Sequence, residues 1–172
     1  MIEPSDRATI ARVHAAGLLG VTGIGWLAAA LYCGLVLWQA VRRREALMVL
    51  QSAQAGLYQL GAGLILLLLI GLAVGGFLLL GGTNEFLPEF PVVDPFSAAG
   101  VAVLVLWLVS LAALPAWHVW SLRQVVRAWR RAAAGELYGY PFIGQLVWEE
   151  APKLLKWMVI QEDEEQGLES AG

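Results

Sequence analysis

Three long apolar stretches dominate the chain, and polar segments separate them. The stretches cover residues 15–41, 55–80 and 96–122, and none of them contains Asp, Glu, Lys or Arg. Each exceeds the roughly 20 residues that a helix needs to cross a hydrocarbon core about 30 Å thick. Because lipid offers the backbone no hydrogen-bond partner, such segments must be α-helical. The pattern therefore predicts an all-α, polytopic integral membrane protein with three transmembrane helices.

Two shorter amphipathic segments and an acidic end follow the third stretch. Residues 123–134 keep basic and apolar positions at helical spacing, and residues 152–160 do the same behind Pro152, which suits a first helical position. We expect both segments to be helices at the membrane interface, with basic side chains toward anionic headgroups. Residues 161–172 contain acidic but no basic side chains, which predicts a disordered tail outside the single membrane domain of residues 1–160.

Composition narrows the class of protein further. Apolar residues make up 59% of the chain and charged residues 15%, and the mean hydropathy is +0.67. Soluble domains average about 45–50% apolar and about 25% charged residues. The net charge of −3 provides no basic face for nucleic acid, so we expect no nucleic-acid partner. With one cysteine, Cys33, an internal disulfide and a multi-cysteine metal cage are excluded.

The basic residues are distributed unequally between the loops. Most of them follow the first or the third stretch, whereas the second loop, residues 81–95, contains acidic residues and no basic one. Because cytoplasmic loops carry the excess of Lys and Arg, three spans place the N-terminus outside and the C-terminus in the cytoplasm of a bacterial inner membrane. The predicted contacts with its anionic inner leaflet are Arg42, Arg43, Arg44, Arg123, Arg127, Arg130 and Arg131.

Small residues recur at a spacing that lets helices approach one another closely. Gly71 and Gly75 form a GxxxG pattern that Gly76 extends, and Gly20 and Gly25 belong to similar small-residue pairs in the first stretch. These positions predict tight helix packing. The partner helix can be another span of the same chain or a span of a second copy.

Pro115 lies near the end of the third stretch. A proline inside a helix removes one amide donor and frees the carbonyl of Leu111, so we expect a kink between these two residues. A packing bend and a functional hinge are the two interpretations of that kink.

The titratable side chains form no catalytic set in the sequence. The three-span topology places His14 and His118 at opposite membrane faces, and no phosphate-loop, HExxH or dinucleotide motif is present. We therefore expect no enzyme activity and no metal site. His118 stands between Trp117 and Trp120, so ligation of a haem or a chlorophyll-type ring is one interpretation, with His14 as a weaker candidate. An interfacial histidine is the other interpretation.

Three short motifs are shared with one family of small membrane proteins. They are a histidine at the start of the first helix, a basic turn followed by a Q-A pair, and a closing A-x-x-G-E-x-Y-x-Y-P pattern. The residues that carry these motifs here are His14, Arg42, Arg43, Arg44, Gln54, Ala55, Gly135, Glu136, Tyr138, Tyr140 and Pro141. Over residues 13–146 the chain resembles the bacterial Tic-twenty-like family, which is related to a component of chloroplast inner-envelope import.

The resemblance has two departures. Gln51 stands where members commonly have a histidine, and the first stretch lacks the proline that members often carry. What the resemblance implies is mainly a fold and a topology, since transport activity does not follow from fold. Independently of the family, Gly135 is suited to end the helix before it, and Pro141 fixes a turn that directs the following segment back to the membrane surface.

Three functions from different classes remain open on this basis. The first is a non-catalytic scaffold or small accessory subunit of a larger membrane complex, with other membrane proteins or further copies as partners. The second is an oligomeric component of a protein or solute translocation pathway, a role that the family resemblance suggests. Its candidate pore-lining residues are Thr22, Gln39, Gln59 and Ser110. The third is binding of a haem or chlorophyll-type cofactor.

Overall fold

The computed structural model describes residues 4–22, 24–81 and 91–153, and every regular element in these ranges is a helix. The elements are α1 (Pro4–Ala15), a 3₁₀ segment (Ala16–Thr22), α2 (Gly25–Arg42), α3 (Ala46–Leu79), α4 (Ala98–Ala133) and α5 (residues 143–153). The all-α class is confirmed for this part of the chain. The predicted acidic tail and residues 154–160 of the last predicted surface helix lie outside the described residues, as do residues 82–90.

Two helices are long and apolar enough to cross a membrane. Over their most apolar 18-residue windows the mean hydropathy is 2.7 in α3 and 2.3 in α4, and only 17% and 11% of those windows are buried. The core helices of soluble proteins are mostly buried, so this exposure of apolar side chains fits lipid as the surrounding solvent. Among the described residues α2 does not reach the same combination of length and hydropathy, so three spans remain a prediction.

The first apolar stretch is not the single helix that its composition suggests. The 3₁₀ segment covers its first part, and α2 begins only at Gly25. The Cys33 thiol in α2 donates to the backbone carbonyl of Val13 in α1, with 3.6 Å between sulfur and oxygen. Val13 and Cys33 lie at similar sequence distances on either side of Ile24, so the two arms run antiparallel. Residues 4–22 and 24–42 therefore form the two arms of a helical hairpin.

The third apolar stretch and the first predicted surface helix form one continuous helix. α4 runs from Ala98 to Ala133 and passes through Pro115 without ending, so the separate helix expected over residues 123–134 is corrected. Gly135 ends α4 as predicted: its φ is 81°, its amide donates to the Ala132 carbonyl, and the next amide donates to the Arg131 carbonyl. This is the Schellman arrangement, which favours glycine at the left-handed position.

α5 begins earlier than the sequence suggests. The predicted surface helix started at Pro152, whereas the observed helix starts at residue 143, directly after a turn at Pro141. The amide of Gly144 donates to the Tyr140 carbonyl at 2.7 Å, which closes the first turn of the helix. Phe142, between Pro141 and the helix, has a left-handed φ of 64°, so the turn at these two residues sets the start of the helix, and Pro152 lies inside the described helix instead of at its start.

The chain divides into two compact units. The first comprises residues 1–61 and 122–172, and the second comprises residues 62–121. The first unit therefore contains the N-terminal hairpin, the start of α3, the end of α4 and the segment that follows α4. The buried polar residues described next belong to this first unit.

Candidate functional site

A group of buried polar side chains lies where α1, the start of α3 and the segment after α4 meet. We call it the His14 cluster. Its members are His14, Gln51, Gln54, Tyr58, Gln124, Tyr138 and Tyr140, all of them buried. Each of these side chains has a hydrogen bond or a ring contact to another member, so the cluster is internally connected.

His14 is bonded through both nitrogens of its ring. Its Nδ1 lies 3.2 Å from the Tyr140 hydroxyl, and its Nε2 lies 3.1 Å from the side-chain oxygen of Gln51. An amide oxygen only accepts, so Nε2 carries the proton and Nδ1 accepts from the tyrosine hydroxyl. This tautomer satisfies the whole ring. The contact joins positions 14, 51 and 140, which are far apart in the sequence.

The start of α3 supplies one face of the cluster. Gln51, Gln54 and Tyr58 follow one another at spacings of three and four residues, so their side chains share a side of the helix. The Tyr58 ring stacks on the Tyr140 ring, with 4.1 Å between centroids and 16° between planes. The Tyr138 ring meets the Tyr140 ring edge-on at 5.2 Å. Such ring pairs contribute about 0.5–1.5 kcal/mol each beyond the area that they bury.

Two glutamines fix the segment that follows α4. The Tyr138 hydroxyl donates to the side-chain oxygen of Gln124 at 2.6 Å. In the amide orientation that satisfies both of its partners, Gln54 donates to the Tyr138 carbonyl at 3.1 Å and accepts from the Trp148 indole at 3.3 Å. These bonds tie the returning segment and α5 to α3.

The cluster is electrically neutral at physiological pH. Burial lowers the pKa of His14 from 6.5 to about 4, and the Gln51 hydrogen bond opposes that shift only in part. Burial also raises the pKa of Tyr140 well above its ordinary value, so its hydroxyl stays protonated and donates. A neutral imidazole between two neutral partners avoids the cost of a buried, unpaired charge.

This lowered pKa of His14 predicts a stability that falls in mild acid. Between pH 6.5 and about 4 the unfolded chain binds a proton that the folded chain does not, so the free energy of unfolding decreases as the pH falls. We expect a loss of about 2 kcal/mol between pH 7.5 and pH 5. Unfolding in detergent micelles should show this loss for the wild type and not for His14→Gln. Equal losses in both proteins would contradict the assignment.

The geometry of the cluster leaves it little chemistry of its own. His14 is fully buried and has no free ring nitrogen, so it can neither exchange a proton with a substrate nor ligate a metal-centred ring while these bonds hold. Among the described residues no three His, Cys, Asp or Glu side chains are placed to hold a metal ion. The arrangement instead joins distant parts of the chain.

The structure also contradicts the predicted position of His14. A single span over residues 15–41 would place His14 at the membrane face opposite the basic loop that precedes α3. Instead, His14 contacts Gln51, which lies in the first turns of α3 just after that loop. The reason is the hairpin, which returns the chain to the same end.

The predicted packing glycines differ in their surroundings. In the second unit, a Cβ added at Gly76 would lie 2.8 Å from the Trp107 Cβ, so this glycine does permit close approach of α3 and α4. Gly71 and Gly75 face open space beside it and line a notch of about 140 Å³. In the first unit Gly20 also faces open space, and Gly25 is buried.

The other residues of the pigment and pore hypotheses are divided between the two units. In the second unit His118 is half-buried, and its neighbour Trp117 donates its indole N–H to the Ala62 carbonyl at 3.2 Å. Ser110 is buried and donates to the Trp107 carbonyl. The other three pore candidates belong to the first unit. There Gln59 is buried, Gln39 is exposed, and the side chain of Thr22 lies outside the described residues.

The basic residues predicted for the membrane surface are solvent-accessible. The four arginines at the end of α4 are exposed, while Gln124, Val125, Ala128 and Ala132 between them are buried. Arg131 lies 3.9 Å from Glu136, and the Arg42 guanidinium covers the Trp38 ring at 3.9 Å. Of the other two family-motif residues, Ala55 is buried and Pro141 is half-buried.

Sequence reasoning missed Gln51, Tyr58 and Gln124 as parts of one site. The available signal was the spacing of Gln51, Gln54 and Tyr58, which puts three polar or aromatic side chains on one face of an apolar helix. A comparison of the chain with protein-family models, curated proteins and solved structures finds no match.

Proposed function

We propose that this protein is a non-catalytic inner-membrane protein that acts as a scaffold or a small accessory subunit of a larger membrane complex. The observation that carries this proposal is that the histidine and tyrosine side chains of the His14 cluster contact one another. Within the cluster His14, Tyr138 and Tyr140 are hydrogen-bonded to other side chains, and these bonds serve the fold. What the chain offers to its surroundings is the apolar surface of α3 and α4, where a partner helix or lipid can pack.

The contacts of the first unit support one orientation in the membrane. α1 runs antiparallel to α2, so its N-terminal end points toward the Arg42 end of the hairpin. The Arg7 guanidinium packs across Gly135, directly after α4. Because basic loops stay on the cytoplasmic side, we place both the N-terminal helix and the C-terminal segment there. This proposal replaces the outside N-terminus of the three-span topology.

Cysteine labelling tests this orientation. In a Cys33→Ala background, Ser5→Cys and Phe96→Cys place a thiol near the N-terminus and in the loop before α4, where residue 96 is 92% exposed. A membrane-impermeant maleimide added to intact spheroplasts should label Phe96→Cys at once and Ser5→Cys only after lysis. Labelling of Ser5→Cys in intact spheroplasts would restore the outside N-terminus.

Native purification tests the function. The full-length protein is extracted from its own membrane in a mild detergent, and its particle mass and co-purifying proteins are measured together. A stoichiometric assembly with unrelated membrane subunits is the expected result. A particle that contains only copies of this chain would overturn the accessory-subunit proposal and favour the translocation alternative.

The translocation alternative rests on the family resemblance. Four of the residues that carry it, His14, Gln54, Tyr138 and Tyr140, meet in the His14 cluster, so the shared motifs have a common structural role. That role joins helices within the first unit. Binding of a haem or pigment depends on His118 alone once His14 is engaged, and an absorption band of the purified protein above 380 nm would be its sign.

A further inference from the structure

We propose that an anionic phospholipid of the inner leaflet binds between α2, α3 and α5, with an acyl chain in a groove and its phosphate at Arg42. The groove has a volume of about 410 Å³ and lies within the first unit. Its lining is almost entirely apolar, and it includes Ala30, Gly34, Ala53, Gly56, Leu57 and Leu146. This volume falls in the range of sites for small molecules.

The shape of the groove selects an acyl chain over a protein helix. Small residues form its floor: a Cβ added at Gly34 would meet nothing within 4 Å, so space remains above the backbone. Leu146 and Val147 of α5 form a third wall beside α2 and α3. A helix laid along α2 and α3 needs about 8–10 Å between axes and would meet this wall, whereas a single hydrocarbon chain is narrow enough to pass.

Two polar residues lie toward the basic loop: Ser52 lines the groove, and Arg42 follows five residues after Leu37, the last α2 residue of the lining. Gly34, Trp38 and Arg42 follow one another at a spacing of four, so they share one side of α2. Arg42 is exposed and its guanidinium is held on the Trp38 ring at 3.9 Å, while its donors remain available to a phosphate. Ser52 lines the same groove, is 1% exposed, and its hydroxyl lacks a protein partner within the described ranges.

The charges at this end favour an anionic headgroup. Glu150 lines the groove but is paired with Lys153 at 2.7 Å, so its charge is neutralised locally. Arg43 is 3.9 Å from Glu45 and remains mostly exposed. A bound phospholipid would therefore have its phosphate beside Arg42, its glycerol ester near the Ser52 hydroxyl and an acyl chain along the groove. Basic residues at the cytoplasmic ends of membrane helices recognise anionic lipids in this way.

Native mass spectrometry of delipidated full-length protein tests this site. The probes are dioleoyl phosphatidylglycerol and dioleoyl phosphatidylcholine, which share their chains and differ in charge. We expect one phosphatidylglycerol per chain, retained about tenfold more strongly than phosphatidylcholine, a difference of about 1.4 kcal/mol. Gly34→Leu fills the groove and should lower this retention at least about tenfold. Arg42→Gln should bind both lipids equally.

Gly61→Leu is the matched control, because Gly61 also lies in a helix with open space around its Cβ and does not line the groove. It should bind phosphatidylglycerol like the wild type. If Gly34→Leu retains phosphatidylglycerol as strongly as Gly61→Leu does, the proposal is overturned. This holds even if Arg42→Gln binds less, because the lipid would then be held only by charge attraction at the protein surface. If the wild type has the mass of a dimer and Gly34→Leu has the mass of a monomer, the groove is occupied by a second copy of the chain instead of a lipid. The proposal holds or fails independently of any complex found by native purification.

Discussion

Replacing Tyr140 with alanine is expected to lower the free energy of unfolding by about 3–5 kcal/mol. The ring is 1% exposed and contacts two other tyrosine rings, so its loss leaves a cavity in the centre of the His14 cluster. The loss also leaves Nδ1 of His14 without its hydrogen-bond donor. Equilibrium unfolding in mixed detergent and dodecyl sulfate micelles measures the change.

Tyr140→Phe separates the contribution of the hydroxyl to stability from that of the ring. It keeps the stacking on Tyr58 and removes only the bond to His14, so we expect a loss of about 1–3 kcal/mol, the cost of an unsatisfied buried acceptor. Leu137→Ala serves as the control, since Leu137 lies in the same segment and is 40% exposed. A loss of stability in Tyr140→Ala no larger than that in Leu137→Ala would contradict the central place of Tyr140 in the cluster.

Gly17→Val is expected to destabilise the first unit by about 2–3 kcal/mol through overpacking. A Cβ at Gly17 would overlap the side-chain nitrogen of Gln59 and would lie 2.8 Å from a methyl group of Val125. Both of these side chains are buried, so neither can move into solvent to make room. The substitution therefore loosens the packing of the 3₁₀ segment against α3 and α4 within the first unit.

The 3₁₀ segment offers its own control for this prediction. Gly20 lies in the same segment, and a Cβ added there meets nothing within 4 Å. Gly20→Val should therefore change the free energy of unfolding by no more than about 0.5 kcal/mol. Thermal unfolding of both variants in the same detergent provides the comparison. Similar losses in the two would mean that the backbone of the segment, and not the space at Gly17, determines the cost.

The sequence predicted the parts of the fold that depend on local pattern. Uninterrupted apolar runs identified α3 and α4, because a helix in lipid needs only length and hydrophobicity. Gly135 was correctly identified as the end of α4, because a left-handed residue at a helix terminus is a local requirement. Pro152 was misjudged as a helix start, because the turn at Pro141 and Phe142 begins the helix earlier in the chain.

The hairpin and the His14 cluster could not be predicted in the same way. An apolar run has the same hydropathy whether the chain continues straight or folds back on itself. The run that contains the 3₁₀ segment and α2 therefore gave no sign that the chain reverses near Ile24. The contact between His14 and Tyr140 joins residues 126 apart in sequence. Such a contact is decided by how the helices pack. The individual members of the cluster were visible only as scattered motif residues, without their partners.

In the native membrane we expect the N-terminal helix to fold back so that His14 lies beside Gln51, as it does in the structure. Disulfide cross-linking tests it most directly, with His14→Cys and Gln51→Cys combined in a Cys33→Ala background and oxidised in intact membranes. The control pair is Ile24→Cys with Gln51→Cys. Ile24 lies near the bend of the hairpin and is 80% exposed. Variants are compared only if they elute from a sizing column like the wild type.

Cross-linking is read as protection from a maleimide tag that adds mass to free thiols. We expect the pair at 14 and 51 to be protected until a reductant is added, while the pair at 24 and 51 remains tagged. A single span over residues 15–41 would separate positions 14 and 51 by roughly the 30 Å of the hydrocarbon core. A pair at 14 and 51 that stays fully tagged after oxidation would contradict the hairpin.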